Sequence, residues 1–196
     1  LEFDNVSFSY KDEATIKNLS FKINKGQKIA LVGHNGAGKT TIIKLLLRLY
    51  DPTDGVIRLN GTDIKEYNLH AYRELFATTF QDFAIFGMSV RDNVLMGREF
   101  DNPDEVAEAA LRKAGVWDVV ANMENGLDTI MTKEFDEKGA ILSGGQSQKL
   151  AVSRTFAQPA PVKIFDEPSS ALDPIAEYEL FKNIMKEADG HTLIFI

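Results

Sequence analysis

The chain has 196 residues, 44% of them hydrophobic and 26% charged, with a net charge of −7 and no cysteine. That fits one sizeable globular domain, or one domain carrying an inserted subdomain. It excludes disulfides and thiolate metal sites, gives no global pull toward nucleic acid or an anionic membrane surface, and leaves the longest apolar runs, such as residues 42–47 with Lys44 inside, far short of the roughly 20 residues of a membrane span. No signal peptide is apparent. The chain opens at Leu1 in a strand-like pattern and stops at Ile196 in the middle of another, so it reads as a piece of something longer.

Leu1, Phe3, Val6, Phe8 and Tyr10 alternate, and so do Leu19, Phe21 and Ile23, with turns expected at residues 11–13 and 24–26. This predicts an antiparallel β region. Residues 28–32 predict a short buried strand, 33–38 a glycine-rich turn and 39–50 a helix. A strand follows at 56–59, with an Asn60-Gly61 turn after it. The strand at 76–80 gives way to a helical texture from about Asp82 to Leu142. Asn102-Pro103-Asp104-Glu105 reads as a helix start, with Asn as cap, Pro at the first position and acids at the positive end of the dipole. That helix is expected to stop at Gly115, and residues 122–138 read as a long loop. Ser143-Gly144-Gly145 opens another helix, ending before Pro159. Residues 162–165 read as a buried strand, 175–187 as a helix and 192–196 as a strand. Strands alternating with helices on either side of a helical block predict an α/β fold: a mainly parallel sheet core with flanking helices, an N-terminal antiparallel β region and an inserted helical subdomain.

Gly33-His34-Asn35-Gly36-Ala37-Gly38-Lys39-Thr40 fits G-x-x-x-x-G-K-[ST], with a buried strand expected before it and a helix after it. The chemistry needs this arrangement. Phosphates carry several negative charges, and backbone N–H groups ring them only where no Cβ intrudes. The next helix points its N-terminus at the anion. Lys39 is expected to reach the β/γ-phosphates, the Thr40 hydroxyl to ligate Mg²⁺, and Thr41 to contact the α-phosphate region. His34 and Asn35, like Ala37, fall at variable positions and serve through the loop they belong to.

Leu142-Ser143-Gly144-Gly145-Gln146 is a second glycine turn entering a helix. Alone it reads better as a simple N-cap by Ser143 than as an anion site. Beside the first motif, however, it resembles the signature sequence of the ABC ATPase family. Val162-Lys163-Ile164-Phe165-Asp166-Glu167 resembles that family's Walker B strand, and Ser170-Ala171-Leu172-Asp173 its D-loop. The resemblance spans essentially the whole chain. It implies a P-loop ATPase domain with residues 1–81 and 150–196 as core and 82–149 as helical signature subdomain. Two such domains pack head to tail, so that Ser143 and the Gly144 and Gly145 amides bind the γ-phosphate of ATP held by the partner.

The same resemblance implies roles for further residues. Asp166 would hold Mg²⁺, and Glu167 would act as general base or orient the attacking water. Gln81 would contact Mg²⁺ or that water, and Tyr10 would stack on adenine. Asp173 would shape the interface with the partner, although helix capping near Pro174 explains it too. Residues 84–86 and 88–93 look like the exporter-type segment that receives a coupling helix. Residues 134–139 look like the exporter X-loop, except that Asp136 stands where Gly is usual. Ser147-Gln148-Lys149-Leu150 departs modestly from the commoner basic form.

The implied whole is the motor of an exporter at the cytoplasmic face of a membrane, with ATP, Mg²⁺, a second nucleotide-binding domain and a transmembrane domain as partners, and no nucleic acid. The family's switch histidine follows the last strand and is expected beyond Ile196. His191 precedes that strand and is expected at a turn after Gly190; His70 is expected on a helix surface. Two other classes share parts of the pattern. A DNA-repair, chromosome or translation ATPase would usually carry coiled-coil insertions or a tandem cassette. A non-hydrolysing regulatory module is opposed by the presence of Glu167 and Ser143.

Overall fold

The computed structural model describes residues 1–11, 14–134, 136–187 and 190–196. The chain divides into two compact units. One comprises Leu1–Phe76 with Ala160–Lys163 and Gly190–Ile196; the other comprises Ala77–Pro159 with Ile164–Asp189.

In the first unit, β1 (Glu2–Ser9) pairs antiparallel with β2 (Ala14–Lys22) and with β4 (Asp54–Leu59), giving a sheet of order β2-β1-β4-β5 with β5 at Thr62–Asp63. The apolar spacing from Phe3 to Val6 breaks a strict period of two. A bulge accommodates it, with Asn5 at φ 50° and a register shift between Phe3 and Val6. Gly55 faces that bulge, and a Cβ there would lie 2.3 Å from the Asn5 carbonyl oxygen. The Asn60-Gly61 turn has both residues at positive φ, 52° and 85°, as a two-residue hairpin requires. Of the turn expected at residues 11–13, residues 12 and 13 lie outside the described residues.

The strand expected at 28–32 is shorter and less buried than its sequence suggests. β3 covers Lys28–Ala30, and both ends are exposed. It lies at the edge of a second sheet, of order β3-β8-β7-β6, and pairs in parallel with β8 (Thr192–Phe195). An edge strand is covered on one side only. β7 is Val162–Phe165 and β6 is Phe76–Thr79; Thr192 N donates to Pro161 O and Val162 N to Leu75 O. The helix expected at 39–50 also stops early. α1 is Lys39–Leu46, and Arg48 turns to φ 51°. Side chains take over the carbonyls that the helix end leaves open. Tyr72 Oη donates to Leu46 O at 2.7 Å, Arg73 Nε to Leu47 O and Arg73 Nη2 to Arg48 O. These donors come from α2 (Leu69–Arg73), barely one turn long, which carries the surface helix expected at His70 but whose bounds the sequence reading did not give.

The second unit contains the expected helical block, residues 82–149, and also the end of α6, α7 and the ends of β6 and β7, which the sequence reading assigned to the core; here Asp166 N donates to Thr79 O at 3.0 Å. Its helices are α3 (Val90–Leu95), α4 (Pro103–Ala114), α5 (Trp117–Ala121), α6 (Gly144–Ala157) and α7 (Pro174–Lys186). α4 buries Ala107, Ala110, Leu111 and Ala114, a stripe at helical spacing, and Gly115 ends it in the left-handed conformation at φ 71°. Asn102, expected to cap it, makes no side-chain cap hydrogen bond; Pro103, Asp104 and Glu105 mark the start instead. Residues 122–138 are not a plain loop. A 3₁₀ turn at Gly126–Asp128 and a bridge between Ser89 and Ile130 order them. Among the described residues, no helix is long and apolar enough to cross a membrane.

Candidate functional site

The sequence candidates fall into two groups. Tyr10 and the Gly33–Thr41 stretch belong to the first unit; Gln81, the signature, the acid pair and Asp173 belong to the second.

In the first group the glycines do three different things. Gly36 and Gly38 take φ of 82° and 89°, where an L side chain is strained. Gly38 has a second constraint, since a Cβ would lie 2.6 Å from Ile16 Cδ1 and 3.3 Å from Thr15 O. Gly33 has no such backbone angle; it permits a close approach, because a Cβ there would come within 3.2 Å of the Ala37 Cβ. The loop closes by a turn in which Ala37 N donates to His34 O. His34, Asn35 and Ala37 are exposed. Lys39 Nζ donates to Gly33 O at 2.9 Å and to His34 O at 3.2 Å, so the ammonium folds back over the loop that precedes its helix. The N-cap of α1 is Gly38, without a side-chain cap. The first amides of α1 therefore face no competing side chain at that position, as anion binding at a helix N-terminus requires. Thr40 is half-buried on the first turn and Thr41 is buried beside it.

Tyr10 is 46% exposed. Its ring meets Phe8 and Tyr50 edge-on, with centroids 4.8 and 5.2 Å away, and its hydroxyl lies 3.3 Å from Thr41 Oγ1. Edge contacts and a hydroxyl tether fix the ring while leaving much of it open for stacking. Sequence reasoning named Tyr10 as a candidate but not its support by Tyr50.

In the second group, α6 begins with a capping box. Ser143 Oγ accepts from Gln146 N at 3.3 Å, and Gln146 Oε1 accepts from Ser143 N at 3.0 Å. The cap reading of Ser143 is thus realised, and it occupies the Ser143 amide. The capping box itself does not use the Ser143 hydroxyl proton or the Gly144 and Gly145 amides. Leu142 precedes them, half-buried. Gly145 is glycine for a packing reason: a Cβ would lie 3.0 Å from Ala171 O and 3.3 Å from Leu172 Cδ2, so the 170–173 segment presses against the first turn of α6. Gly144 has open space around it. A cavity of about 440 Å³ adjoins, lined by Ser143, Gly145, Gln146, Lys149, Leu172 and Asp173 among others. Asp173 caps α7, accepting from Ile175 N and Ala176 N at 3.0 Å each. The Ala176 amide in particular holds its carboxyl below the usual range, against a smaller opposing effect of desolvation.

The acid pair is separated by a turn rather than by strand alternation. β7 ends at Phe165; Asp166 is 1% exposed, whereas Glu167 is half-buried and sits at φ 48°, rare for a residue with a Cβ. Gln81 Nε2 donates to Glu167 Oε2 at 2.8 Å, which brings together two candidates 86 positions apart in the chain. Two partners of this region escaped sequence reading. Gln148 is buried and bonds to the backbone at Glu167 and Ala171. Asn93, fully buried, bonds to Arg154 and to the segment 86–89. Neither carried a signal in the sequence: Gln148 stands between Ser147 and Lys149 and Asn93 follows Arg91 and Asp92, and their burial shows only in the fold.

Of the loop expected at 134–139, Phe135 lies outside the described residues. Glu134 is exposed, and Asp136 accepts from Lys138 N in a local turn. Phe86, in the segment expected to receive a coupling helix, is 44% exposed, while Val90 and Asn93 behind it are fully buried. His70 lies exposed on α2, and His191 follows Gly190 at φ 86°.

The donors that the sequence reading offers a divalent cation are the Thr40 hydroxyl of the first unit and the Asp166 carboxylate and Gln81 amide oxygen of the second, each described within its own unit. All are hard oxygen ligands with a single carboxylate among them. Among the described residues, no group of three or more His, Cys, Asp or Glu could hold a metal. A set so poor in charge suits Mg²⁺ that arrives with phosphate oxygens, rather than an ion caged by protein alone.

The similarities to known proteins run through the whole chain. The chain is 40% identical, over 199 residues, to an ATP-dependent lipid A-core flippase of Burkholderia orbicola (strain AU 1054), covering 100% of this chain and 32% of that protein. It is 40% identical over 185 residues to the mitochondrial iron-sulfur clusters transporter ATM1 of Saccharomyces cerevisiae, covering 94% of this chain and 26% of that one. The chain thus spans about a third or less of the length of the curated relatives it matches. A solved structure of a bacterial Atm1-family ABC exporter with ATP bound superposes with a TM-score of 0.89 at 36% identity, over 100% of this chain and 33% of that one. The ABC transporter family profile matches residues 16–170, and with this cover the chain belongs to the ABC transporter family.

Proposed function

We propose that this chain is the ATP-binding and ATP-hydrolysing motor domain of an ABC exporter, forming with a second such domain a pair that encloses two ATP·Mg. It would sit at the cytoplasmic face of a membrane and drive an attached transmembrane domain. Residues 1–81 and 150–196 are its core and 82–149 its helical signature subdomain. The observation that carries the reading is the contact between Gln81 and Glu167. A carboxylate placed by a left-handed backbone turn, with a loop amide hydrogen-bonded to it, is suited to hold and polarise a water molecule.

In this reading Tyr10 stacks on adenine. The amides of the loop from Gly33 to Thr40 bind phosphate oxygens, Lys39 neutralises charge on the β/γ-phosphates, and Thr41 faces the α-phosphate. Thr40, Asp166 and Gln81 would hold Mg²⁺, which when bound neutralises charge on the β- and γ-oxygens. Glu167 accepts the proton of the attacking water. Ser143 and the Gly144 and Gly145 amides bind the γ-phosphate held by the partner, with Leu142 and Gln146 shaping that turn and Asp173 shaping the interface. The relatives' names, a lipid A-core flippase and an iron-sulfur clusters transporter, and the ATP-bound exporter to which this chain is similar, support export as the work done.

Glu167→Gln in the full-length protein tests this. The amide cannot take a proton, so hydrolysis falls by a factor of about 10² or more, while ATP binding persists and an ATP-dependent dimer accumulates on sizing. Hydrolysis at the wild-type rate would overturn the assignment of Glu167, and a monomer with and without ATP would favour a regulatory module.

A further inference from the structure

Gln148 is the fifth residue of α6, the helix that the signature opens, and it is 1% exposed. Its side chain reaches out of the helix. Nε2 donates to Glu167 O at 2.9 Å and to Ser170 Oγ at 3.0 Å, and Oε1 accepts from Ala171 N at 2.8 Å. Both amide protons and one lone pair are thus used, as burial demands. The placement of these bonds carries the inference. Glu167 stands at φ 48°, a conformation that an L residue keeps only where its surroundings impose it. The backbone bond from Ser170 N to Glu167 O is long, at 3.4 Å, so the shorter grip on that carbonyl is Gln148's. Rotation of Glu167 back to a right-handed conformation would swing its carboxylate away from Gln81, which it meets at 2.8 Å.

We propose that Gln148 is a positioning residue for hydrolysis: by holding the Glu167 carbonyl and the 170–171 segment to the signature helix, it keeps the Glu167 carboxylate aimed at the attacking water. The proposal rests on the reading of Glu167 as general base. Gln148 itself touches no substrate, and its loss leaves the nucleotide loop, Lys39 and Tyr10 as they are. The effect therefore falls on kcat and spares binding.

The test uses the full-length protein and two substitutions that damage the grip differently. Gln148→Met keeps the length of the side chain and removes all three hydrogen bonds. Gln148→Glu keeps an acceptor for Ala171 N but, ionised, has nothing to donate to Glu167 O or Ser170 Oγ. Both are expected to lower kcat for ATP about tenfold or more, equivalent to about 1.4 kcal/mol in barrier, with KM and the Kd for a fluorescent ATP analogue within about twofold of wild type. Introduced into the Glu167→Gln protein, Gln148→Met should slow residual turnover no further, because it acts through a group already disabled.

Three results overturn the proposal: kcat within twofold of wild type in both variants, a drop in kcat matched by weakened analogue binding, or an additive loss in the double variant. Should Gln148→Met fail to fold, Gln148→Glu decides the matter alone. Wild-type turnover by Glu167→Gln would instead remove the reading beneath the proposal, so the two failures are distinguishable.

Discussion

Asn93→Ala is expected to be among the most damaging substitutions in the second unit that leave every proposed nucleotide contact intact. Asn93 is fully buried. Its Nδ2 donates to Phe86 O at 2.9 Å, Met88 O at 3.2 Å and Ser89 O at 3.0 Å; its Oδ1 accepts from Phe86 N at 3.0 Å and from Arg154 Nη2 at 3.1 Å. Alanine removes all of these, but the carbonyls are not orphaned. Met88 N still reaches Phe86 O, Met131 N reaches Met88 O, and Asn93 N reaches Ser89 O. Arg154 keeps Ala84 O and Asn93 O. The Phe86 amide alone loses its acceptor. One stranded donor plus the net worth of the lost bonds sums to about 3 kcal/mol. With a urea slope of about 2 kcal/mol/M, the unfolding midpoint should fall by about 1.5 M. Tryptophan emission in a urea titration reads this directly, because Trp117, the one tryptophan, lies on α5 of the same unit. Asn93→Asp is the sharper control. It keeps an acceptor for the Phe86 amide but sets a buried carboxylate oxygen against three carbonyls, so a loss at least as large as alanine's is expected. A midpoint shift below about 0.5 M for alanine, or about 1 kcal/mol at that slope, would refute the reasoning.

Three other perturbations follow from the geometry. Tyr72 is fully buried and burial pushes its phenol above the usual tyrosine value, with Arg48 opposing. A raised folded pKa means stability that is complete below about pH 10 and lost as pH climbs beyond it. Tyr72→Phe should flatten that alkaline decline in a Tm-against-pH series, at a neutral-pH cost of about 1–2 kcal/mol for the bond to Leu46 O. Gly55→Ala places a Cβ 2.3 Å from a backbone oxygen at φ 77°, and the strand must shift to admit it; thermal unfolding should show a loss of about 2–4 kcal/mol. For Asp173 the sign is reversed. Its carboxyl is held low by the Ala176 amide, so its contribution is present above about pH 4 and lost as pH falls through the lower folded value. The Tm difference between wild type and Asp173→Ala should therefore shrink as pH falls below about 4.

Long patterns were legible in the sequence and short or tertiary ones were not. The stripe of α4 and the alternation of β1 and β2 predict their elements because many residues repeat one period. α2 and α5, at one turn each, have no period to detect. The overlong reading of α1 has a tertiary cause, since residues 47–50 are helical in character until Tyr72 and Arg73 claim the carbonyls at its end. Left-handed turns were visible wherever glycine marked the spot, as at Gly36 and Gly38. They were invisible where an ordinary residue takes the same left-handed conformation, as Glu167 and Arg48 do. No side-chain type announces such a turn. Only the partners that impose it do, and Gln148 lies 19 positions from Glu167.

Ser143 and Asp173 show why weighing a structural reading against a functional one is the wrong contest at a helix N-terminus. Both residues cap their helices in the structure, and capping consumes only part of what they offer. In α6 the capping box engages the Ser143 amide and one oxygen lone pair, yet it leaves the hydroxyl proton and the next two amides pointing along the helix axis. An uncapped turn would place those amides less reproducibly and lose the alignment that makes a helix end attractive to an anion. In the proposed function, the cap is thus a condition for γ-phosphate binding. Gly145 belongs to the same construction, since its missing Cβ admits the 170–173 backbone against that turn. A substitution that spares the cap but adds a methyl there, Gly145→Ala, is therefore expected to displace the segment that Gln148 grips, and to act on the Glu167 side of the chemistry as well as on the signature.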